Sequence, residues 1–297
     1  MRHQLQMQYI NTVAKVGSIR KAAELLSITS SALNRRILAM EEDLGVPVFD
    51  RVANGVRLNA AGELLIHHFR TQLAEMERVK SQIHDLQGER RGHVAIACSQ
   101  ALMVSVIPNE IARYQQEHPN VTFSVRVCTR DSAAQELRSF NADIALAFDP
   151  EQSSDFQTLA SCPQNLLAQF HCQHELNQAG NVRLIDCLTQ PLALPTRSNS
   201  IRLILEKAAI KHSAQLNVNF ESDNFYLLRS MIKQRKLISF TLPIGVHAND
   251  NDEIEHRNID ERDIAPAMLH VGALKGRHLS VAAAKFADQI SQVIANN

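Results

Sequence analysis

Two groups of residues in this 297-residue chain could carry chemistry. The first is Ser30, Ser31, Asn34, Arg35 and Arg36, followed by Arg51 and Arg57. A guanidinium can bridge the acceptor edge of guanine with two hydrogen bonds, while serine and asparagine bond to bases or phosphate. That is chemistry for reading DNA. The competing reading is structural: Arg35 and Arg36 as solvated face residues, Arg51 and Arg57 as ion-pair partners of Asp50 or Glu63. The second group is a series of short polar clusters, Ser99-Gln100, Thr129-Arg130 and Thr196-Arg197-Ser198, together with Phe148. Hydroxyls and cations of this kind suit a small polar or anionic ligand, with Phe148 covering an apolar part. Their competing reading is as simple helix caps, a common use of serine and threonine.

Other patterns carry less. His171-Cys172-Gln173-His174 has metal-binding residue types, but the spacing matches no common zinc pattern, so no metal is expected. Cys98, Cys128, Cys162, Cys172 and Cys187 are five, an odd number without CxxC spacing, which argues against a disulfide framework. A thiol switch built on Cys162, Cys172 or Cys187 is a rival reading, although no basic neighbour obviously lowers their pKa. The phosphate-loop, dinucleotide-loop, nucleophile-elbow and His-Glu-x-x-His signatures are all missing, so no enzyme activity and no cofactor are expected.

The elements needed to position the first group are helical. Met7, Ile10, Val13 and Ala14 have helical spacing over residues 4–16. Gly17-Ser18 ends that helix and caps the next, which carries Ala22, Ala23, Leu25 and Leu26. Thr29 caps a third helix, whose Ala32, Leu33 and Ile37 face inward. Two short helices joined by a tight turn form a helix-turn-helix. Phe49–Val52 and Val56–Leu58 flank Ala53-Asn54-Gly55, an Asn-Gly hairpin signal, and make a wing. Asn59 caps a long helix from about 60 to 87. Its apolar seam of Leu65, Phe69, Leu73, Met76, Val79, Ile83 and Leu86 predicts a coiled-coil dimer, with packing on its own domain as the alternative.

The charged break Gly88-Glu89-Arg90-Arg91-Gly92 marks a boundary. Beyond it, strands at 94–97, 123–127 and 143–147 alternate with helices at 104–117 and 132–140, which predicts βαβ units on a parallel sheet. Further strands are expected at 165–170, 191–194, 218–220 and 237–241, and helices near 200–211, 223–234 and 279–294. Ser99, Gln100, Thr129 and Arg130 then fall at strand carboxyl ends, and Thr196–Ser198 precede a helix. Both are places where ligands bind in α/β folds.

The composition is that of an ordinary soluble globular protein, with 45% apolar and 21% charged residues and a net charge of zero. Residues 1–58 hold eight Lys/Arg against five Asp/Glu, leaving 23 against 26 in the remainder. The +3 head on a −3 body has the sign expected for DNA binding. With no long apolar run and no leader-like N-terminus, a cytoplasmic location is expected.

Gly17-Ser18 with Lys21–Leu26, Ser31–Ile37, Leu44–Arg51 and Val56–Glu63 resemble, without a gap over residues 7–65, the helix-turn-helix of the LysR-type regulators. Gly92–Ile96, Glu221-Ser222-Asp223 and Ile238–Pro243 resemble parts of that family's effector domain. Two positions depart from its pattern: Ser30-Ser31 stand where Gln-Pro is frequent, and Gln234-Arg235-Lys236 where a Gly-rich turn is usual. The resemblance implies an α/β fold in three parts. These are a winged helix-turn-helix at 1–58, a linker helix and hinge at 59–91, and an effector domain at 92–297 built like a periplasmic binding protein. Its subdomain I would span about 92–162 and 266–297 and its subdomain II about 163–265, with ligand between them. The implied partners are promoter or operator double-stranded DNA, a small polar or anionic effector, further copies of the chain as homodimer and homotetramer, and RNA polymerase, with no membrane. A ligand-independent or thiol-sensing DNA-binding regulator is the alternative.

Overall fold

The computed structural model describes residues 2–86, 91–177, 180–233, 237–246 and 253–296. The chain divides into two compact units near residue 88.

The first unit begins with α1 (Arg2–Val16), α2 (Ile19–Leu25) and α3 (Ser30–Leu44). The starts of α2 and α3 are set by side-chain caps. Ser18 Oγ accepts from the Lys21 amide at 3.4 Å, and Thr29 Oγ1 from the Ala32 amide at 3.2 Å. Such caps satisfy amides that the first helical turn leaves unpaired. Gly45 ends α3 in the left-handed conformation, φ 71°. The antiparallel hairpin β1 (Phe49–Val52) and β2 (Gly55–Leu58) follows. Asn59 Oδ1 then accepts from the Gly62 amide at 2.9 Å to start α4 (Ala60–Leu86). The core gathers Ile10, Val13, Ala22, Ala23, Leu33, Ile37, Met40 and Val48 with Ile66 and Phe69 of α4.

The hairpin corrects one expectation. The expected Asn-Gly turn would have left-handed backbone at both central residues. Instead Ala53 and Asn54 form the loop, and Gly55 is the first residue of β2. Gly55 serves a close approach: a Cβ there would lie 2.1 Å from the Gly17 carbonyl oxygen, which itself accepts from the Val56 amide at 2.9 Å. Two glycines thus let the hairpin dock on the α1–α2 turn. The α4 seam divides along its length. Of the expected seam, Phe69 is buried within the unit and Leu65 and Leu73 are half-buried, whereas Met76, Val79, Ile83 and Leu86 are exposed.

The second unit starts with β3 (Gly92–Cys98), a 3-10 turn at Gln100–Met103, α5 (Val106–Glu117), β4 (Val121–Val127), α6 (Ala133–Arg138), β5 (Ile144–Phe148) and β6 (Phe156–Gln164). The chain then passes through β7 (Leu167–His171), α7 (Leu184–Leu188), β8 (Leu192–Leu194), α8 (Ser200–Lys211), β9 (Val218–Glu221), α9 (Phe225–Ile232), β10 (Ser239–Thr241) and β11 (Ile254–Asn258). It returns as β12 (Ala267–Leu274) and ends in α10 (Val281–Ala295).

The first sheet has the order β4-β3-β5-β12-β6. Its β3, β4 and β5 are parallel, as expected, but β12 runs antiparallel between β5 and β6, so the sheet is mixed rather than parallel. The returning strand inserts between β5 and β6, more than a hundred residues after them in the chain. Strands β6, β11 and β12 and helix α7 have no counterpart in the sequence expectations. The helix expected at 104–117 is α5, preceded by the 3-10 turn. Tyr114, Phe123 and Phe286 pack edge to face behind this sheet, with centroids 5.0–5.7 Å apart.

The second sheet has β10-β7-β11 antiparallel and β8-β9 parallel, joined by a bridge between Leu192 and Ile238. Phe170, Phe240, Leu194 and Leu242 are fully buried here. The chain passes between the two sheets at residues 164–167 and 258–267. The basic stretch Gln234–Lys236 and most of the Gly88–Gly92 break lie outside the described residues.

Candidate functional site

α3 presents one face inward and one outward. Leu33 and Ile37 are buried, and Ala32 half-buried, while Ser30, Ser31, Arg35 and Arg36 are exposed and Asn34 is half-buried. This split follows from the helical period, which places positions 33, 37 and 40 on one stripe. Ser31 Oγ lies 3.2 Å from Thr29 Oγ1, so it also supports the cap. The Arg36 guanidinium stands over the Tyr9 ring, 5.1 Å from its centroid, and is partly held by the head itself. Arg35 makes no ion pair among the described residues. Arg51 and Arg57 are exposed on opposite strands of the hairpin, and neither is paired with Asp50 or Glu63.

One residue that sequence reading missed ties these elements together. Glu41, near the end of α3, accepts through Oε1 from the amides of Val48 (2.8 Å) and Phe49 (3.2 Å). It satisfies two donors at the start of β1 and so fixes the hairpin to the helix that carries Arg35. No sequence signal marks it, because glutamate on an amphipathic helix is ordinary.

In the second unit the carboxyl ends of β3, β4 and β5 converge. Ser99, Gln100, Thr129, Arg130, Phe148, Thr196 and Ser198 all line one cavity of about 70 Å³. Arg197 does not. Its side chain is 80% exposed, and its Nε lies 3.5 Å from Glu206. The structure adds Asn199, Ser200 and Asp223 to the lining. Asn199 caps α8 by accepting from the Ile201 amide at 2.9 Å, so the positive end of that helix dipole lies at the cavity. Ser200 Oγ donates to the Phe148 carbonyl at 3.1 Å across the cleft between the sheets.

The hydroxyls differ in their commitments. Ser99 starts the 3-10 turn without a side-chain cap bond. Thr129 is locked in a reciprocal turn with Ser132: its Oγ1 is 3.2 Å from Ser132 Oγ and accepts from the Ser132 amide at 3.3 Å. Thr196 and Ser198 hydroxyls are 3.4 Å apart. Arg130 Nε sits 3.1 Å from Asp131. The loop that begins at Pro195 is held from behind by buried Arg202, which reaches the Pro195 carbonyl (3.4 Å), Glu206 (2.9 Å) and Glu221 (3.1 Å).

The cysteines are poor candidates for redox sensing. Burial pushes the thiols of Cys128 and Cys187 up to about 12 and raises that of Cys98, beside Cys128, as well. Burial also raises the Cys162 thiol. Cys172 alone is half-exposed. In the His171–His174 segment both Nδ1 atoms accept backbone amides, from Gln173 at 3.1 Å and from Leu176 at 3.2 Å, which is a structural use. Among the described residues no group of three His, Cys, Asp or Glu is placed to hold a metal, and no helix is long and apolar enough to cross a membrane.

Comparison with known proteins decides the family. Residues 5–63 match the bacterial regulatory helix-turn-helix proteins of the lysR family, and residues 87–295 match the LysR substrate binding domain. The chain belongs to the LysR family. It is a LysR-type, DNA-binding transcription regulator with a substrate-binding domain. Among its relatives is the uncharacterized HTH-type regulator YybE of Bacillus subtilis, 26% identical over 73% of this chain and 75% of YybE. Its fold matches full-length CbnR in complex with target DNA, with a TM-score of 0.63 at 16% identity over 98% of this chain and 99% of CbnR. The effector binding domain of QuiR in complex with shikimate matches with a TM-score of 0.59 at 15% identity, covering 70% of this regulator and 99% of that domain.

Proposed function

We propose that this LysR-type regulator binds promoter or operator DNA through α3 and the hairpin, and that a small polar or anionic effector in the cleft of the second unit controls it. The observation that carries the reading is that seven of the eight residues expected at the cleft line one cavity at three strand ends and the start of α8. QuiR, which shares this fold, is seen with shikimate, and CbnR with DNA. Such a site does not need many cations. Arg130 supplies positive charge, the α8 dipole adds to it, and Asp223 can accept from a hydroxyl or ammonium group of the same ligand.

At about 70 Å³ the cavity is far below the roughly 300–1,000 Å³ of ordinary ligand sites. An effector therefore enters by parting the two sheets, and it shifts the equilibrium by as much as it prefers the parted form. The exposed half of the α4 seam supports association of two copies, and homotetramers extend that scheme. RNA polymerase is the natural further partner of a promoter-bound regulator.

The test is a thermal-shift screen of carboxylates and amino acids, followed by operator binding with and without the hit. Ser99→Ala and Thr129→Val should abolish the response and leave basal DNA binding intact. A normal response in both variants would remove the effector from this cleft.

A further inference from the structure

We propose that the second unit contains a second ligand site, a groove behind the Ser200–Phe148 contact that takes an organic anion with an apolar body. The groove has a volume of about 770 Å³, within the range of small-molecule sites and about ten times the cleft cavity. It runs along α8 from Ser200 to Lys211, with β6 and β12 on its other side. Arg130 and Ser200 line both spaces, so the two adjoin at the Ser200–Phe148 hydrogen bond.

The lining has two characters. Phe156, Leu203, Ile204, Ile264 and Pro266 provide an apolar surface. Lys207 and Lys211, one turn apart on α8, provide two ammonium groups over it. Lys211 has only a long contact, 3.5 Å, to the Arg262 carbonyl, and Lys207 makes no ion pair among the described residues. Of the three carboxylates in the lining, one is paired with a cation among the described residues. Asp263 is held by Arg183 at 2.6 and 2.7 Å and by the Leu184 amide at 2.9 Å, and Asp149 accepts from the Met268 amide at 3.2 Å. That leaves the charges of Asp149 and Glu151 against Lys207, Lys211 and Arg130, whose own partner Asp131 is exposed. A ligand that buries a flat or branched hydrocarbon on the apolar side and sets a carboxylate against the lysines satisfies both halves. An apolar cation would meet two like charges, and a small inorganic anion would leave the apolar surface wet.

The site is distinct from the cleft of the proposed effector, and its test separates the two. Isothermal titration of the full-length protein would use 2-naphthoate as the anionic probe and 2-naphthalenemethanol as its neutral match. The expected result is that naphthoate binds and the alcohol binds about ten-fold more weakly, the size of effect that a pair of partly desolvated charges can give. Lys207→Glu with Lys211→Glu should weaken naphthoate by about ten-fold or more. Both lysines are exposed, so the variant should keep the wild-type thermal midpoint. Ser99→Ala, at a residue that lines the cleft cavity and not the groove, should bind naphthoate as the wild type does. The proposal is overturned by no binding of naphthoate, by equal binding of the two probes, by unchanged affinity in the lysine variant, or by loss of binding in the cleft variant.

Discussion

Ser200 Oγ donates to the Phe148 carbonyl oxygen at 3.1 Å, joining the first residue of α8 to the last residue of β5. β5 belongs to the first sheet and α8 to the half of the unit built on the second, so this bond holds the cleft shut. Two further bonds bridge the same halves, from Ser105 Oγ to the Ile244 carbonyl (3.0 Å) and from the Ile244 amide to Gln164 Oε1 (3.2 Å). Ser200→Ala removes one of these three bonds, which are counted among the described residues, without touching the core. A net hydrogen bond is worth about 0.5–1.5 kcal/mol, so opening should become about 2- to 12-fold more frequent. Hydrogen exchange over residues 147–150 and 196–203 should quicken by that factor. Unchanged exchange would show that Ser200 does not restrain the cleft.

Arg35 and Arg51 should fail in different ways. Arg35 is exposed on α3, without an ion pair among the described residues. Arg35→Ala should cost about 1–3 kcal/mol at the cognate operator and flatten discrimination between operator variants. Arg51 is on the hairpin, suited to phosphate. Its loss should weaken all sequences alike and lower the slope of log affinity against log salt by about one. Fluorescence anisotropy at several salt concentrations distinguishes them. Equal loss on all sequences for Arg35→Ala would place Arg35 on the backbone.

The thiols should be silent. Reaction requires thiolate, and burial keeps Cys98, Cys128, Cys162 and Cys187 protonated at neutral pH. A thiol-reactive dye should label only Cys172 quickly in the folded protein, and all five after denaturation. DNA binding should not respond to mild peroxide. Rapid labelling of Cys128, or a peroxide response, would restore the thiol-sensing reading.

Asp263 makes stability depend on acid. The bidentate Arg183 guanidinium hydrogen-bonds to its carboxylate, and that contact, with the Leu184 amide, holds its pKa below the ordinary value. A depressed folded pKa stabilises the fold above the unfolded value of about 3.9 and ceases to do so as pH falls through the folded value. Asp263→Asn should lower the urea midpoint at neutral pH. It should also reduce the further loss between pH 5 and about pH 3. An acid limb identical to the wild type would assign the pH dependence to other carboxylates.

What the sequence determined by itself is local. The starts of α2, α3 and α4 were legible because a hydroxyl or amide cap acts within three residues: Ser18 on Lys21, Thr29 on Ala32, Asn59 on Gly62. The inward stripe of Leu33 and Ile37 was legible because helical periodicity is a property of neighbouring residues. So were the strand ends that carry Ser99 and Thr129. What only the tertiary structure decided depends on partners distant in sequence. The pairing of β12 between β5 and β6 is one case, since strand register over more than a hundred residues leaves no local pattern. The role of Gly55 is another: the Asn-Gly pair suggested a turn, but the contact that demands glycine is with Gly17, 38 positions earlier. Arg197 sits beside cleft residues in sequence yet turns to Glu206, because the Thr196–Asn199 turn ahead of α8 points its side chain outward. The hydrophobic pattern and the caps thus specify which elements form, while packing between distant elements sets which side chains meet at the cleft and which line the groove behind it.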